Sequence, residues 1–198
     1  VIKNLEKRQM EGYYCPTVED AEKLAFSFLK DGQTVSFGGS MTLEETGMLT
    51  ALRHDPSIHL IDRSTAKTPD ETKKMYHDAL SSDVYFMSTN AITTGGELVN
   101  IDGTGNRVAA LIYGPETVVI LAGMNKIAAN VDEALSRVHN VATAQNCIRL
   151  DKKTPCAITG ACADCLSPDC ICNQVVITRR SGIKGRIKVL LIGESFGY

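Results

Sequence analysis

Five of the seven cysteines in this 198-residue chain fall in one stretch, Thr154 to Asn173, which reads TPCAITGACADCLSPDCICN. Cys156, Cys162, Cys165, Cys170 and Cys172 follow the spacing C-x5-C-x2-C-x4-C-x-C. Soft thiolates crowded into a segment with two prolines and no helical period are the ligand type of zinc and iron–sulfur centres. Cys162 and Cys165 are spaced to hold one metal together. Cys170 and Cys172, with a single residue between them, are less suited to share one, and Pro168-Asp169 place Cys170 on a turn. The full spacing is not a standard zinc or ferredoxin pattern. Three outcomes stay open for these thiols: a metal or cluster, free or redox-active thiols, and disulfides. Cys15 and Cys147 read as lone buried thiols.

A second chemistry-bearing pattern is Gly38-Gly39-Ser40, between the strand Thr34–Phe37 and a helix that Thr42 opens. Thr42 to Glu45 forms the T-x-x-E capping box. Strand, glycine turn and helix start in this order make an anion seat, because the backbone can approach closely and present unpaired N–H groups. An ordinary tight turn is the alternative. No Gly-Lys-Ser/Thr follows and the dinucleotide glycine pattern is absent, so no nucleotide motif is present. Polar residues follow other strands in the same way: Asp62-Arg63, Thr89 to Thr93, Asp102 to Arg107, and Met124-Asn125-Lys126. In an open parallel sheet such turns gather at one edge and form a cleft. The histidines, His54, His59, His77 and His139, form no metal-spaced pair, and no Ser-His-Asp arrangement is visible.

The elements that must position these residues alternate. Residues 1–13 read as a leading helix and Tyr13 to Pro16 as a connector. Thr17 caps a helix with Ala21, Leu24, Ala25, Phe28 and Leu29 inward, ending near Gly32. Strands follow at Ile58–Ile61, Asp83–Ser88, Glu97–Ile101 and Val118–Ala122, the last an apolar run expected at the sheet centre. Helices begin at Thr68-Pro69, Arg107 and Val131, the last running to about Ala144, and Gly95-Gly96 reads as a hairpin-like turn. Val175–Thr178 and Lys188–Ile192 are further strands, with the basic residues Arg179, Arg180, Lys184 and Arg186 between them. The expected fold is a single α/β domain over 1–198, with a mostly parallel, two-sided sheet. The sheet and its cleft read as complete before residue 146, with 154–173 a cysteine-rich attachment.

Composition narrows the partners. The formal net charge is −2, from 21 basic and 23 acidic residues, which argues against a broad nucleic-acid surface. No apolar run approaches the ~20 residues of a membrane span. The opening VIKNLEKRQMEG has no signal-peptide apolar region, and with bunched, odd-numbered cysteines it points to a cytoplasmic protein.

The motifs Thr89-Asn-Ala-Ile-Thr93 and Gly103-Thr-Gly-Asn-Arg-Val-Ala-Ala110 resemble those of the LUD-domain family, named for lactate utilisation. Gly38 to Gly47, Asp62-Arg63, Ala122 to Ile127 and Thr154 to Gly160 match its pattern too, so the resemblance runs over nearly the whole chain. It implies a Rossmann-like fold similar to the ribose-phosphate isomerase, glucosamine-phosphate deaminase and CoA-transferase group. It also implies a link to lactate or organic-acid redox metabolism, in which partner proteins carry iron–sulfur clusters. This sequence holds no ferredoxin-like domain of that kind, so the family name alone does not assign lactate oxidation to it. By the same resemblance, Gly38, Gly39, Ser40 and Thr42 would hold the anionic group of a small metabolite. Asn90, Gly103, Gly105, Asn106 and Lys126, with Arg107, would complete the ligand site. Glu44 would be the catalytic base or nucleophile, since Glu45 is engaged in capping. Four ligands suffice for a tetrahedral zinc or a cubane cluster, and Cys156, Cys162, Cys165 and Cys172 are the expected set; the recurrence of Ile171-Cys172-Asn173 in the family supports Cys172. A [4Fe–4S] cluster is favoured over zinc because every candidate ligand is sulfur and the family keeps redox company. Folds of this group often form homo-oligomers, so self-association is a further expectation.

Overall fold

The computed structural model describes residues 1–198. Its strands are β1 (Glu11–Cys15), β2 (Thr34–Phe37), β3 (His59–Ile61), β4 (Val84–Met87), β5 (Ala91–Thr93), β6 (Leu98–Asp102), β7 (Thr117–Gly123), β8 (Ile127–Ala128), β9 (Gln174–Thr178) and β10 (Ile187–Ile192). Its helices are α1 (Ile2–Lys7), α2 (Val18–Phe26), α3 (Met41–Glu45), α4 (Met48–His54), α5 (Pro69–Ala79), α6 (Asn106–Ile112), α7 (Val131–Arg137), α8 (Ala144–Arg149) and α9 (Pro155–Thr159). A π-helical segment, Val138–Thr143, joins α7 to α8. No helix is long and apolar enough to cross a membrane.

Six strands form one parallel sheet in the order β1-β10-β7-β4-β2-β3. Its central strands are buried on both faces, as parallel sheets covered by helices must be. Alternate residues of β7 feed two cores. Val119 and Leu121 pack with Leu43, Leu49 and Leu52 of α3 and α4 and with Ala21 and Ala25 of α2. Val118, Ile120 and Ala122 pack with Leu5 of α1, Leu111 of α6, and Ile92 and Leu98. Those last two belong to a second, four-stranded sheet in the order β8-β5-β6-β9, mixed in direction. The β5–β6 hairpin turns at Gly95-Gly96. Gly96 has φ +89, and a Cβ there would stand 2.9 Å from the Leu5 backbone nitrogen, so no side chain fits against α1.

The α/β class and the buried central strand Val118–Ala122 are as the sequence indicates. Three readings are corrected. The leading helix stops at Lys7, and Glu11–Cys15 is an edge strand. Gly12, Tyr13 and Tyr14 pair there with Val189, Leu190 and Leu191, partners about 177 positions away that no local pattern announces. Ala91–Thr93 is a strand rather than a polar loop, with all three residues buried. The sheet is not complete before residue 146, because β10 lies inside it, between β1 and β7.

Candidate functional site

The carboxyl ends of β2, β4 and β7 open onto a cleft of about 280 Å³. Lys126 stands at its floor. The short 3₁₀ turn Met124–Lys126 after β7 sends this side chain inward, where the residue is 3 % exposed. Its Nζ donates to Thr42 Oγ1 at 2.8 Å and to Ser88 Oγ at 2.9 Å, hydroxyls rather than a carboxylate. Burial, then the charges of Arg137 and Arg107, push its pKa down to about 7, with Glu45 opposing. A desolvated amine beside other cations is disfavoured in its charged form, which is how such shifts arise.

Arg107 holds the cleft's frame. Nη1 donates to Ser88 O (3.1 Å) and Asn100 Oδ1 (2.7 Å), and Nη2 to Asn90 Oδ1 (2.9 Å) and Ile101 O (2.6 Å). Nε lies 3.4 Å from Asp102 Oδ2. Both Nη groups are thereby hydrogen-bonded twice, and Nε faces the Asp102 carboxylate. Asp102 in turn accepts the Thr104 and Gly105 N–H groups at 3.2 and 2.8 Å and shapes the turn before α6. Arg137 reaches across from α7 to Asn125 O (3.0 Å) and Asn90 O (2.7 Å). These arginines fix the strand ends and leave little capacity for a ligand.

Other groups are freer. Arg63 leans over the glycine turn and stacks on Tyr76 at 5.6 Å. A Cβ on Gly39 would collide with Arg63 Nη2, so the missing side chain is what admits the guanidinium. Arg149 donates to Asn146 Oδ1 at 3.1 and 2.8 Å, and Tyr198 OH reaches the same oxygen at 3.4 Å. Thr143, 5 % exposed on the cleft wall, has a hydroxyl with no hydrogen-bond partner. Lys126, Arg63, Arg107 and Arg149 line the cleft against a single carboxylate, Asp102.

The last residues of the chain complete the site. Met124 N donates to Glu194 O at 2.8 Å, Asn125 Nδ2 to Gly197 O at 3.0 Å, and Thr42 Oγ1 to Phe196 O at 3.2 Å. Gly197 N donates to Glu45 Oε2 at 2.6 Å.

Of the residues singled out from sequence, the structure brings Gly39, Ser40, Thr42, Asn90, Gly103, Asn106 and Lys126 together on the cleft. Gly38 lies behind the turn, against the Arg107 stem and the Tyr85 hydroxyl. Gly105 is the N-cap of α6 and packs on Gln174. Glu44 is exposed and outside the lining, because the five-residue α3 points it outward. The capping box is also corrected: Ser40, not Thr42, caps α3, accepting the Leu43 N–H, and Glu45 serves the Gly197 backbone instead. Thr42 is thereby freed to face Lys126. Asp62 bonds Arg53 Nε at 2.8 Å and Ser64, away from the cleft. Ser88, Thr143, Asn146 and Arg149 went unrecognised in the sequence. The last three recur every third residue on one helix face, a polar stripe that periodicity could have exposed.

No three His, Cys, Asp or Glu side chains converge as a metal group, and all seven cysteines are free. Cys156 is buried on α9 with Cys147 and Ala144, so Cys147 is not a lone thiol. Cys172 packs on the apolar cluster of Val99, Ile101 and Val138, and burial, then the neighbouring Cys170, Cys165 and Cys162, raise its pKa to about 11. Cys162 Sγ faces His139 Nδ1 at 3.7 Å, and Cys170 Sγ donates to Asn173 Oδ1 at 3.0 Å. Packing thus sends the four expected ligands, Cys156, Cys162, Cys165 and Cys172, to different surroundings. The segment is nonetheless a wall of the cleft: Ile171 lines it, and Asn173 Nδ2 donates to Gly103 O at 2.9 Å.

Fold and site together define an α/β protein with a cationic cleft at the strand ends of a parallel sheet. The chain belongs to the LUD-domain family, whose model matches residues 1–192. A DUF162 family protein from Deinococcus radiodurans is similar in structure, with a TM-score of 0.55 at 12% identity over 96% of this chain and 93% of that one. Partial likenesses extend to eIF2B delta from Chaetomium thermophilum (TM-score 0.38, 19% identity, 61% of this chain and 51% of that one). Ribose 5-phosphate isomerase A from Methanocaldococcus jannaschii gives 0.35, at 19% identity over 57% of this chain and 54% of that one. No curated protein matches the sequence.

Proposed function

We propose that the protein binds a small anionic metabolite of the organic-acid class, as used in lactate-linked redox metabolism, in the strand-end cleft, with Lys126 as its proton-transferring group. The observation that carries this is the buried Lys126 amine, partnered only by hydroxyls and surrounded by arginines. An unpaired buried cation destabilises a fold, so its retention marks a functional position. Its depressed pKa lets it exist as a free amine near neutrality and take a proton as an anion arrives, because a nearby negative charge favours the ammonium. The Thr42 and Ser88 hydroxyls aim the amine, and the unpartnered Thr143 hydroxyl offers the ligand a further hydrogen bond. The free cysteines accord with a reducing compartment such as the cytoplasm.

Calorimetry with lactate, pyruvate and ribose 5-phosphate at pH 8, in buffers of different ionisation enthalpy, tests this. Binding of a carboxylate with uptake of close to one proton is expected, lost in Lys126→Met. Equal binding by Lys126→Met and wild type, or binding without proton uptake, overturns the role of Lys126. Absence of binding by all three anions overturns the ligand class.

A further inference from the structure

β9 is the last strand of the four-stranded sheet and has no neighbour on its outer edge. Helix α6 runs beside it. At one end the α6 N-cap, Gly105, packs on Gln174, the first residue of β9. At the other end Leu111 and Ile112 share a groove with Ile177 and Thr178. The groove has a volume of about 960 Å³ and no lining residue in common with the cleft. Its walls are apolar yet open to solvent: Ile112 is 62 % exposed, Tyr113 84 %, Ile177 43 % and Ile183 65 %. Single exposed apolar residues are ordinary, but a set of them around one groove marks an interaction surface.

The groove is also cationic. Arg186 lines it, 8 % exposed and with no carboxylate partner. Its Nε donates to Pro115 O at 2.8 Å, Nη1 to Leu111 O at 2.7 Å and Nη2 to Ala110 O at 2.8 Å. The guanidinium thereby closes the C-terminal end of α6, and each Nη keeps a second N–H beyond these bonds. Arg179 and Arg180, both exposed, follow β9 directly and line the same groove, whose one carboxylate is Glu116. This rim is set in advance. Arg8, just after α1, donates through Nη1 to Arg179 O at 2.7 Å, and Ser181 N donates to Arg8 O at 2.9 Å. A rim already ordered loses less entropy when a ligand arrives.

We propose that the groove between α6 and β9 docks an acidic peptide segment of a partner protein, which adds to the free edge of β9 as a further strand. An edge strand presents unpaired N–H and C=O groups, and an extended peptide completes them. Alternate side chains of the added strand point the same way, so its apolar residues enter the groove against Ile112 and Ile177. Its carboxylates meet Arg179, Arg180 and the spare N–H groups of Arg186. A second copy of this chain suits the edge but not the charge. No Asp or Glu occurs from Cys170 to Ile183, so its β9 would bring no carboxylate to these arginines.

The test is selection of a phage-displayed library of random linear peptides on the immobilised full-length protein, with enriched peptides synthesised and titrated by fluorescence anisotropy. Enriched sequences are expected to alternate β-branched or aromatic residues with Asp and Glu. The double variant Arg179→Glu/Arg180→Glu, checked for folding by circular dichroism, should bind them about tenfold more weakly or worse. N-methylation of alternate peptide residues separates strand addition from loose charge attraction: one alternating set should abolish binding and the other leave it. No enrichment, enrichment without acidic residues, undiminished binding by the double variant, or equal binding by both N-methylated sets overturns the proposal. So does a dimer in sedimentation that Ile177→Lys dissociates and the peptides fail to displace, which would give this face to a second copy.

Discussion

The cleft and the cysteine segment are built in different ways from the chain. The cleft draws Ser40, Ser88, Arg107, Lys126, Thr143 and Tyr198 from the whole length of the chain, and hydrogen bonds hold nearly every polar group there at defined distances. The cysteines are neighbours along one stretch and their thiols stay near one another, though each has its own surroundings: a buried pair, an imidazole contact, an apolar pocket and a turn. A precise site needs supports that fix each rotamer, and the sheet supplies them while a turn-rich segment does not.

The largest effect that would break this contrast is expected at Arg107. Replacing it with Ala leaves Asp102, Asn100 and Asn90 without their buried donor and should cost about 3 kcal/mol or more, read as a fall in thermal-unfolding midpoint. A loss below 1 kcal/mol would show that the cleft is not preassembled as described.

Lys126→Met comes next, and its sign is opposite. Below about pH 7 the ammonium is charged in folded and unfolded chains alike, and the full cost of burying it is present. Between about pH 7 and the ordinary 10.5 the folded protein has lost the proton and the unfolded chain has kept it, so stability rises with pH. The whole rise is on the order of 5 kcal/mol and should vanish in Lys126→Met, which is expected to be more stable than wild type at pH 6. Denaturant titrations across that range would show it. Anion affinity of the wild type should fall as pH rises through about 7.

Two smaller changes sharpen the comparison. Gly39→Ala pushes on the tip of the Arg63 side chain, which can yield, so the fold should persist while anion affinity drops by a factor of about 3 to 10. Cys170→Ser keeps a donor for Asn173 and should change stability by less than about 0.5 kcal/mol, with anion binding unaltered. A marked binding loss there would mean the cysteine segment is as tightly coupled to the ligand as the strand ends are.

Much of the architecture was legible. The apolar run at Val118–Ala122, the glycine turn after Phe37 and the capped start at Thr68-Pro69 report local physics, and the structure follows them. Glu11–Cys15 was not legible as a strand, since an edge strand is made by its pairing with β10 rather than by its own pattern. Glu44 and Thr42 are instructive at closer range. Both stand one turn beyond the glycines, but a shift of the helix start from Thr42 to Ser40 turns Thr42 toward Lys126 and leaves Glu44 in solvent.

The sequence by itself determined the α/β class, the strand-end location of the cleft and the presence of Lys126 among its candidates, because strand periodicity and turn chemistry act over a few residues. Only the tertiary structure decided that Lys126 is buried among arginines and that β10 and the residues after it close the site. It alone gave the crowded cysteines their different surroundings, because burial, charge proximity and packing join residues that the chain holds far apart.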